Sequence, residues 1–238
     1  MKKENRIFAF VFARGGSKGL INKNLLPIGG VPLVGRSIKI AKKLEIIEKI
    51  FVSTDSREIA EVSASFGAEI IHRPSNLSQD NSPEWEAWRH GISIAKEKYG
   101  SFDIFISLPA TSPLRKPSDV TLCINEFINF QSNADILITV MPSKKSPWFN
   151  MVKIEENGYT TLLNQGRNYT SRQQVPKSFE ISTLAYVSTP SHIEKVSSIW
   201  SGKVKSLEFP YERALDIDDR LDYELACHLW NKNRKNYE

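Results

Sequence analysis

Cysteine is scarce in this chain, with two in 238 residues, Cys123 and Cys227, far apart. Each sits inside a helix-like pattern, which excludes a disulfide framework and leads us to expect buried thiols in a reducing cytoplasm. No Cys/His cluster has zinc spacing. The four histidines, His72, His90, His192 and His228, form no spaced set, and neither a G-x-S-x-G nor a Cys/His nucleophile context is present. Long apolar runs are also missing, since none approaches the roughly 20 residues of a membrane span. The charged start M-K-K-E-N-R, and the break of the next apolar run at Arg14 and Gly15, argue against a signal peptide. Lys and Arg outnumber Asp and Glu, 32 to 27, for a formal charge of +5. The cations are scattered and form no basic block, so solvated surface charge is a stronger reading than nucleic-acid binding. A site for small polyanions would also draw cations.

What is present is an alternation. Residues 6–12 (R-I-F-A-F-V-F) read as a buried strand, 32–44 as a helix with Pro32 in its first turn, 48–53 as a strand, 56–66 as a helix and 69–72 as a short strand. A helix over 83–98 carries Trp85, Trp88, Ile92 and Ala95 on one stripe. A strand at 103–108, a helix at 117–131 and a strand at 135–140 follow. The rhythm resumes later with a strand at 183–187, a helix at 191–199, a strand at 204–209 and a helix at 220–233. Strands alternating with helices predict a doubly wound α/β fold on a mostly parallel sheet, with ligands beyond the carboxyl ends of the strands. Residues 1–142 and 179–238 make up this body. Residues 143–178 break the rhythm and read as an inserted arm, a strand–turn–strand hairpin about Asn157-Gly158 followed by the polar stretch N-Q-G-R-N-Y-T-S-R-Q-Q-V-P.

Several polar segments follow predicted strand ends. The loop F-A-R-G-G-S-K-G-L-I-N-K-N (12–24) brings together Gly15, Gly16 and Gly19 with Arg14, Lys18 and Lys23. Glycines expose backbone N–H groups to a phosphate and cations neutralise it. The spacing matches neither the Walker A loop nor G-x-G-x-x-G, because Gly19 is followed by Leu20. Ser53-Thr54-Asp55 ends a strand, and Asp55 reads first as a helix N-cap. Arg73-Pro74 and N-L-S-Q-D-N-S (76–82) fit a surface turn and helix start, or an Arg that holds a base or phosphate. The two prolines of L-P-A-T-S-P-L-R (108–115) stiffen a loop in which Thr111, Ser112 and Arg115 supply donors. In Leu215-Asp216-Ile217-Asp218-Asp219, alternate positions of an extended chain place Asp216 and Asp218 on one face. Paired carboxylates there would hold a hard cation. Helix capping accounts for one of these acids and leaves Asp216 without a role.

Taken in order, A-R-G-G-S-K-G-L-I-N-K-N, S-T-D, R-P-S-N-L-S-Q-D, T-S-P-L-R, R-Q-Q-V-P and D-I-D resemble the CMP-sialic acid synthetase (acylneuraminate cytidylyltransferase) family. The resemblance covers nearly the whole chain. It implies a nucleotide-diphospho-sugar transferase-like domain and a cytoplasmic homodimer whose arm exchanges between subunits. The implied partners are CTP and a nonulosonic acid, with no nucleic acid and no membrane, and the implied cofactor is Mg²⁺ or Mn²⁺. Carried over residue by residue, Arg14, Gly15, Ser17, Lys18, Lys23 and Asn24 would hold the triphosphate, with Lys23 and Arg14 stabilising transition-state charge. Arg73, Asp80, Asn81 and Ser82 would lie near the cytidine. Pro109, Thr111, Ser112 and Arg115 would border the sugar, and Arg172 and Gln173 would reach it from the arm. Asp216 and Asp218 would bind the metal, with Asp218 also a candidate base.

The departures concern the sugar. Pro109-Ala110 stands where many sialate enzymes have Gln-Pro, and Ser182-Thr183 where they tend to have Asn-Gly. Both leave the cytidylyl transfer intact but count against N-acetylneuraminate itself, and admit a relative such as legionaminate, pseudaminate or another nonulosonate. The resemblance also admits an eight-carbon 2-keto sugar acid, against which R-Q-Q-V-P counts. A non-catalytic nucleotide or sugar binder is a further alternative, against which the Asp216/Asp218 pair counts.

Overall fold

The apolar run Ile7–Phe12 forms β1, and its alternation supplies two cores at once. Ile7, Ala9 and Val11 face one side of the sheet and Phe8 and Phe10 the other. The structure, a computed structural model, describes residues 5–17, 19–130, 133–166 and 169–234. After β1 a short hairpin, β2 (Pro27–Ile28) and β3 (Val31–Pro32), leads into α1 (Leu33–Lys42). Then come β4 (Ile47–Thr54), α2 (Arg57–Ser65), β5 (Glu69–His72), α3 (Glu84–Tyr99), β6 (Ile104–Ser107), α4 (Pro117–Phe130) and β7 (Ile136–Pro142). The hairpin β8 (Val152–Ile154) and β9 (Thr160–Leu162) follows. The chain closes with β10 (Phe179–Ser188), α5 (Pro190–Lys195), β11 (Val204–Glu208), α6 (Tyr211–Ala214) and α7 (Arg220–Lys232).

The seven-stranded sheet runs β11-β7-β10-β6-β1-β4-β5. β10 is antiparallel to both neighbours, and the other pairings are parallel. From β1 the chain winds outward through β4 and β5, then returns to place β6 on the other side of β1. The crevice between β1 and β6, beyond their carboxyl ends, is the switch point of a doubly wound sheet. One layer, including α1, α4 and α7, covers the Ile7/Ala9/Val11 face. α3 and α5 cover the aromatic face, where Phe10 stacks on Phe105 at 4.9 Å and Trp88 lies 5.3 Å from Phe105. The predicted α3 stripe of Trp85, Trp88, Ile92 and Ala95 is buried there.

Four sequence expectations are refined. β10 begins at Phe179, not near 183, because its first residues pair with β7 from Phe179↔Pro142 to Ser182↔Thr139. The register then slips between Ser182 and Tyr186, and the Thr139 hydroxyl spans the irregularity by donating to the Ser182 and Ala185 carbonyls. α5 ends at Lys195, short of 199. Cys123 is buried but Cys227 only half-buried, and both are free thiols. The arm hairpin turns through three residues, since Glu155 pairs with Tyr159 around Gly158, whose φ of +83° suits glycine. No helix among the described residues is long and apolar enough to cross a membrane.

Candidate active site

Four segments converge at the switch point. The 12–24 loop leaves β1 and is tied down by its own polar residues. The Gly15 N–H donates to Asp55 Oδ1 at 2.9 Å, and Ser17 N–H to the Gly15 carbonyl at 3.1 Å. The buried Asn24 amide donates to the Arg14 carbonyl at 3.0 Å. Asp55 therefore braces the loop; the α2 N-cap is Ser56, whose hydroxyl accepts from Ile59 N–H at 3.3 Å. Lys18 lies outside the described residues. Gly19 packs on the second segment so closely that a Cβ would stand 2.6 Å from the Asp218 carbonyl, so packing alone requires glycine there.

That second segment contains Asp216 and Asp218. Asp219 is the N-cap of α7, accepting from Leu221 N–H at 2.8 Å and Asp222 N–H at 3.0 Å, while Asp222 accepts back from Asp219 N–H at 3.1 Å. This capping box answers the helix-cap reading and leaves Asp216 and Asp218 to the cleft. Lys23 reaches across from the first loop, its Nζ 2.7 Å from the Ile217 carbonyl and 3.3 Å from Asp218 Oδ1. Asp216 Oδ1 is buried with no hydrogen-bond partner among the described residues. Burial is the main cause that lifts the Asp216 carboxyl above its usual range. The nearby Thr111 hydroxyl opposes the rise, the charge of Asp218 adds to it, and Thr183 and Lys23 oppose it.

The third and fourth segments are the loop after β6 and the irregular stretch of β10. The Thr111 carbonyl accepts Ile217 N–H at 2.9 Å, locking the proline-stiffened loop to the aspartate segment. Thr183 meets Thr111 Oγ1 at 3.2 Å and Ser112 Oγ at 2.8 Å. The slip in β10 thus aims a hydroxyl at the cleft, a use of local irregularity common beside functional sites. Arg115 has a different place from the one expected. It is 2% exposed and donates to the Ser112 carbonyl at 2.8 Å and to the Pro109 carbonyl. Burial pulls its guanidinium down to about 9. It braces the loop from within, and its buried Nη1 has no hydrogen-bond partner among the described residues.

Beside these segments lies a cavity of about 260 Å³ lined by Phe12, Arg14, Arg73, Asp80, Ser82 and Glu84, among others. Arg14 Nη1 pairs with Asp80 Oδ1 at 2.9 Å. Arg73 is held by Ser53, donating to its hydroxyl at 3.1 Å and its carbonyl at 2.7 Å, and burial lowers its pKa. Ser82 Oγ donates to the Asn76 carbonyl at 2.8 Å, and Asn81 is exposed. Arg172 lines a separate cavity of about 350 Å³ with Lys144, Lys145 and Phe149 of the arm. Gln173 beside it is exposed. Within one chain, therefore, the first-loop, Arg73, 108–112 and aspartate residues assemble, and Arg172 sits apart. Glu84, at the start of α3, also lines the cavity beside Arg14 and Arg73, a place that the sequence did not mark out.

An anion-suited loop facing a carboxylate pair, at the switch point of a doubly wound sheet, defines a nucleotidyltransferase-type site. The cytidylyltransferase family model matches residues 8–145, more than half of the chain, and the protein belongs to that family. It is 31% identical over 225 residues to a CMP-N,N'-diacetyllegionaminic acid synthase of Campylobacter jejuni, with 94% of each chain covered. It is 27% identical over 232 residues to an N-acylneuraminate cytidylyltransferase of Escherichia coli, covering 97% of this chain and 53% of that protein. The fold matches a CMP:2-keto-3-deoxy-manno-octonic acid synthetase solved with CTP, with a TM-score of 0.72, 15% identity, and 95% and 99% of the two chains covered.

Proposed function

We propose that the protein transfers CMP from CTP to the anomeric hydroxyl of a nine-carbon 2-keto sugar acid and releases pyrophosphate. One observation carries this reading: Lys23 and the Asp216/Asp218 pair meet at the switch point, beside a cavity lined by Arg14 and Arg73. The similarity to the legionaminic acid synthase supports a nine-carbon acceptor, as does R-Q-Q-V-P, while the departures at 109–110 and 182–183 count against N-acetylneuraminate itself.

Chemically, the anomeric oxygen forms a bond to the α-phosphorus of CTP, the bond from that phosphorus to the bridging oxygen breaks, and pyrophosphate carries away the electron pair. Catalysis of this kind is mostly positioning and charge neutralisation. Lys23 spends two of its three donors on Ile217 and Asp218, leaving one for a phosphate oxygen. The described N–H groups of the 14–24 loop, with Arg14, face the leaving pyrophosphate. Thr111, Ser112 and Pro109 border the acceptor, and Arg73, Asp80, Asn81 and Ser82 border the cytidine. Asp218, the exposed member of the pair, takes the hydroxyl proton.

The residues fit a divalent cation. Two carboxylates share the cleft, and one carries a buried oxygen lacking a partner, which is the hard-oxygen chemistry that Mg²⁺ or Mn²⁺ takes alongside substrate phosphates. When bound, such an ion neutralises phosphate charge and lowers the pKa of an attacking hydroxyl. Asp216 and Asp218 would hold it.

The arm supports a homodimer. Ile154 and Tyr159 are each 75% exposed, with Val152, Leu163, Phe179 and Ile181 also open, exposed apolar surface that invites a second copy. In that dimer Arg172 and Gln173 would serve the acceptor side of the partner's cleft.

The test is pyrophosphate release with CTP, magnesium and each of N-acetylneuraminate, N,N'-diacetyllegionaminate and 2-keto-3-deoxyoctonate. Release with a nine-carbon acid is expected. Release with the eight-carbon acid alone would move the assignment to that substrate. CTP binding with no release across the panel would indicate a non-catalytic relative.

A further inference from the structure

We propose that Glu84 reads the ribose of the bound nucleotide, its carboxylate accepting hydrogen bonds from the 2′- and 3′-hydroxyls. This rests on the cleft being the CTP site. Glu84 opens α3 and lines the same cavity as Arg14, Arg73 and Asp80. Its side chain is deep among protein groups yet open to the cavity. Trp88 Nε1–H donates to Glu84 Oε1 at 3.2 Å and fixes the carboxylate; among the described residues Oε2 has no hydrogen-bond partner. Arg73 is close enough for its charge to be felt, but its own hydrogen bonds go to Ser53, so it forms no ion pair with Glu84.

The position is intermediate. Glu84 lies within electrostatic reach of both Arg73 and Asp216, and Tyr186 on β10 is within reach of both Glu84 and Asp216. Arg73 marks the base end of the proposed nucleotide and Asp216 the phosphate end. Between base and phosphate a nucleotide offers its ribose. A carboxylate in a cleft built for a triphosphate would repel phosphate oxygens, so its partner must carry O–H or N–H donors. A vicinal diol supplies two, matching two carboxylate oxygens, and acidic side chains bind ribose hydroxyls in this way on other nucleotide folds. Burial holds the Glu84 carboxyl above its usual range. Two ligand hydroxyls would replace part of the water it has lost.

The experiment is isothermal titration of CTP, 2′-deoxyCTP and inorganic pyrophosphate, in magnesium buffer, into the wild-type protein and the Glu84→Gln variant. Wild type is expected to bind CTP about ten- to a hundredfold more tightly than 2′-deoxyCTP, the scale of a hydrogen bond to a charged group. The variant is expected to bind the two within a few-fold of each other, chiefly through weakened CTP, with pyrophosphate binding unchanged as proof of an intact site. A variant that keeps full discrimination overturns the proposal. So does a wild type that does not discriminate, or a variant whose only defect is a raised KM for the sugar acid. No CTP binding by wild type would overturn the cleft assignment itself and the proposal with it.

Discussion

The α/β body and the β8–β9 hairpin handle apolar side chains in opposite ways. In the body, Phe8, Phe10, Val11 and Phe105 are fully buried, because each strand face meets a helical layer. In the hairpin, the two paired strands have three residues each and no covering layer among the described residues, and Ile154 and Tyr159 stay 75% exposed. A two-stranded hairpin alone is marginal in water. The body's two cores are thus covered within one chain, whereas the hairpin lacks a covering surface among the described residues. Changes in the body should therefore act on chemistry or stability, and changes in the hairpin on assembly.

The largest expected effect falls on chemistry. Lys23→Ala and Asp216→Ala should each lower the rate of pyrophosphate release by about 10²–10³-fold or more, the usual cost of losing one preorganised charge-stabilising group. Circular dichroism and the melting temperature should change little, since Lys23 joins two loops and supports no core. Near wild-type turnover in either variant would remove these residues from the mechanism.

Next in size is the body's packing. Trp88→Ala deletes a fully buried indole that touches Phe12, Phe105 and Tyr186, and should cost about 3–5 kcal/mol in denaturant unfolding. The hairpin double variant Ile154→Ser/Tyr159→Ser should show the contrary pattern. Its secondary structure should persist while sedimentation shifts from dimer to monomer. The KM for the sugar acid should rise with CTP affinity unchanged, if Arg172 and Gln173 serve the partner's cleft. A monomeric wild type, or a double variant that still dimerises, would break the contrast between body and hairpin.

The same contrast explains what could be read in advance. Period-2 runs such as I-F-A-F-V-F and the α3 stripe announce elements because burial on a defined face leaves a periodic trace. Asp216 was legible because a helix cap needs one Asp, at 218 or 219, and does not account for Asp216. Three features leave no such trace. The slip in β10 that turns Thr183 towards Ser112 arises from pairing with β7. The burial of Arg115 depends on how its loop folds over it, and an arginine in a polar loop looks the same whether it points in or out. Glu84 occupies a helix first turn, where an acid is favoured by the helix dipole whatever else it does. The requirement for Gly19 was legible only as glycine content; its reason, the Asp218 carbonyl, lies far away in sequence.

The smallest effect concerns a carboxylate at the opposite end of the sheet from the cleft. Arg6 grips Glu48 with two hydrogen bonds, Nε to Oε2 at 2.8 Å and Nη2 to Oε1 at 2.7 Å, tying the chain before β1 to the start of β4. This fork, the largest cause, holds the Glu48 carboxyl below its ordinary value of 4.5. A carboxyl depressed in the folded state contributes stability above its unfolded pKa and loses that contribution as pH falls through the folded value. Glu48→Gln should therefore lower the melting temperature slightly at neutral pH, and the gap from wild type should close under acid, below the folded value. Because the pair is exposed, raising the salt concentration at neutral pH should shrink the same gap. Asp216 is shifted the other way, upward by burial, so folding opposes its ionisation. A gap for Glu48→Gln that survives acid and high salt would show the pair to be a packing contact instead, and would weaken the distinction between surface charges that support the fold and cleft charges held against it.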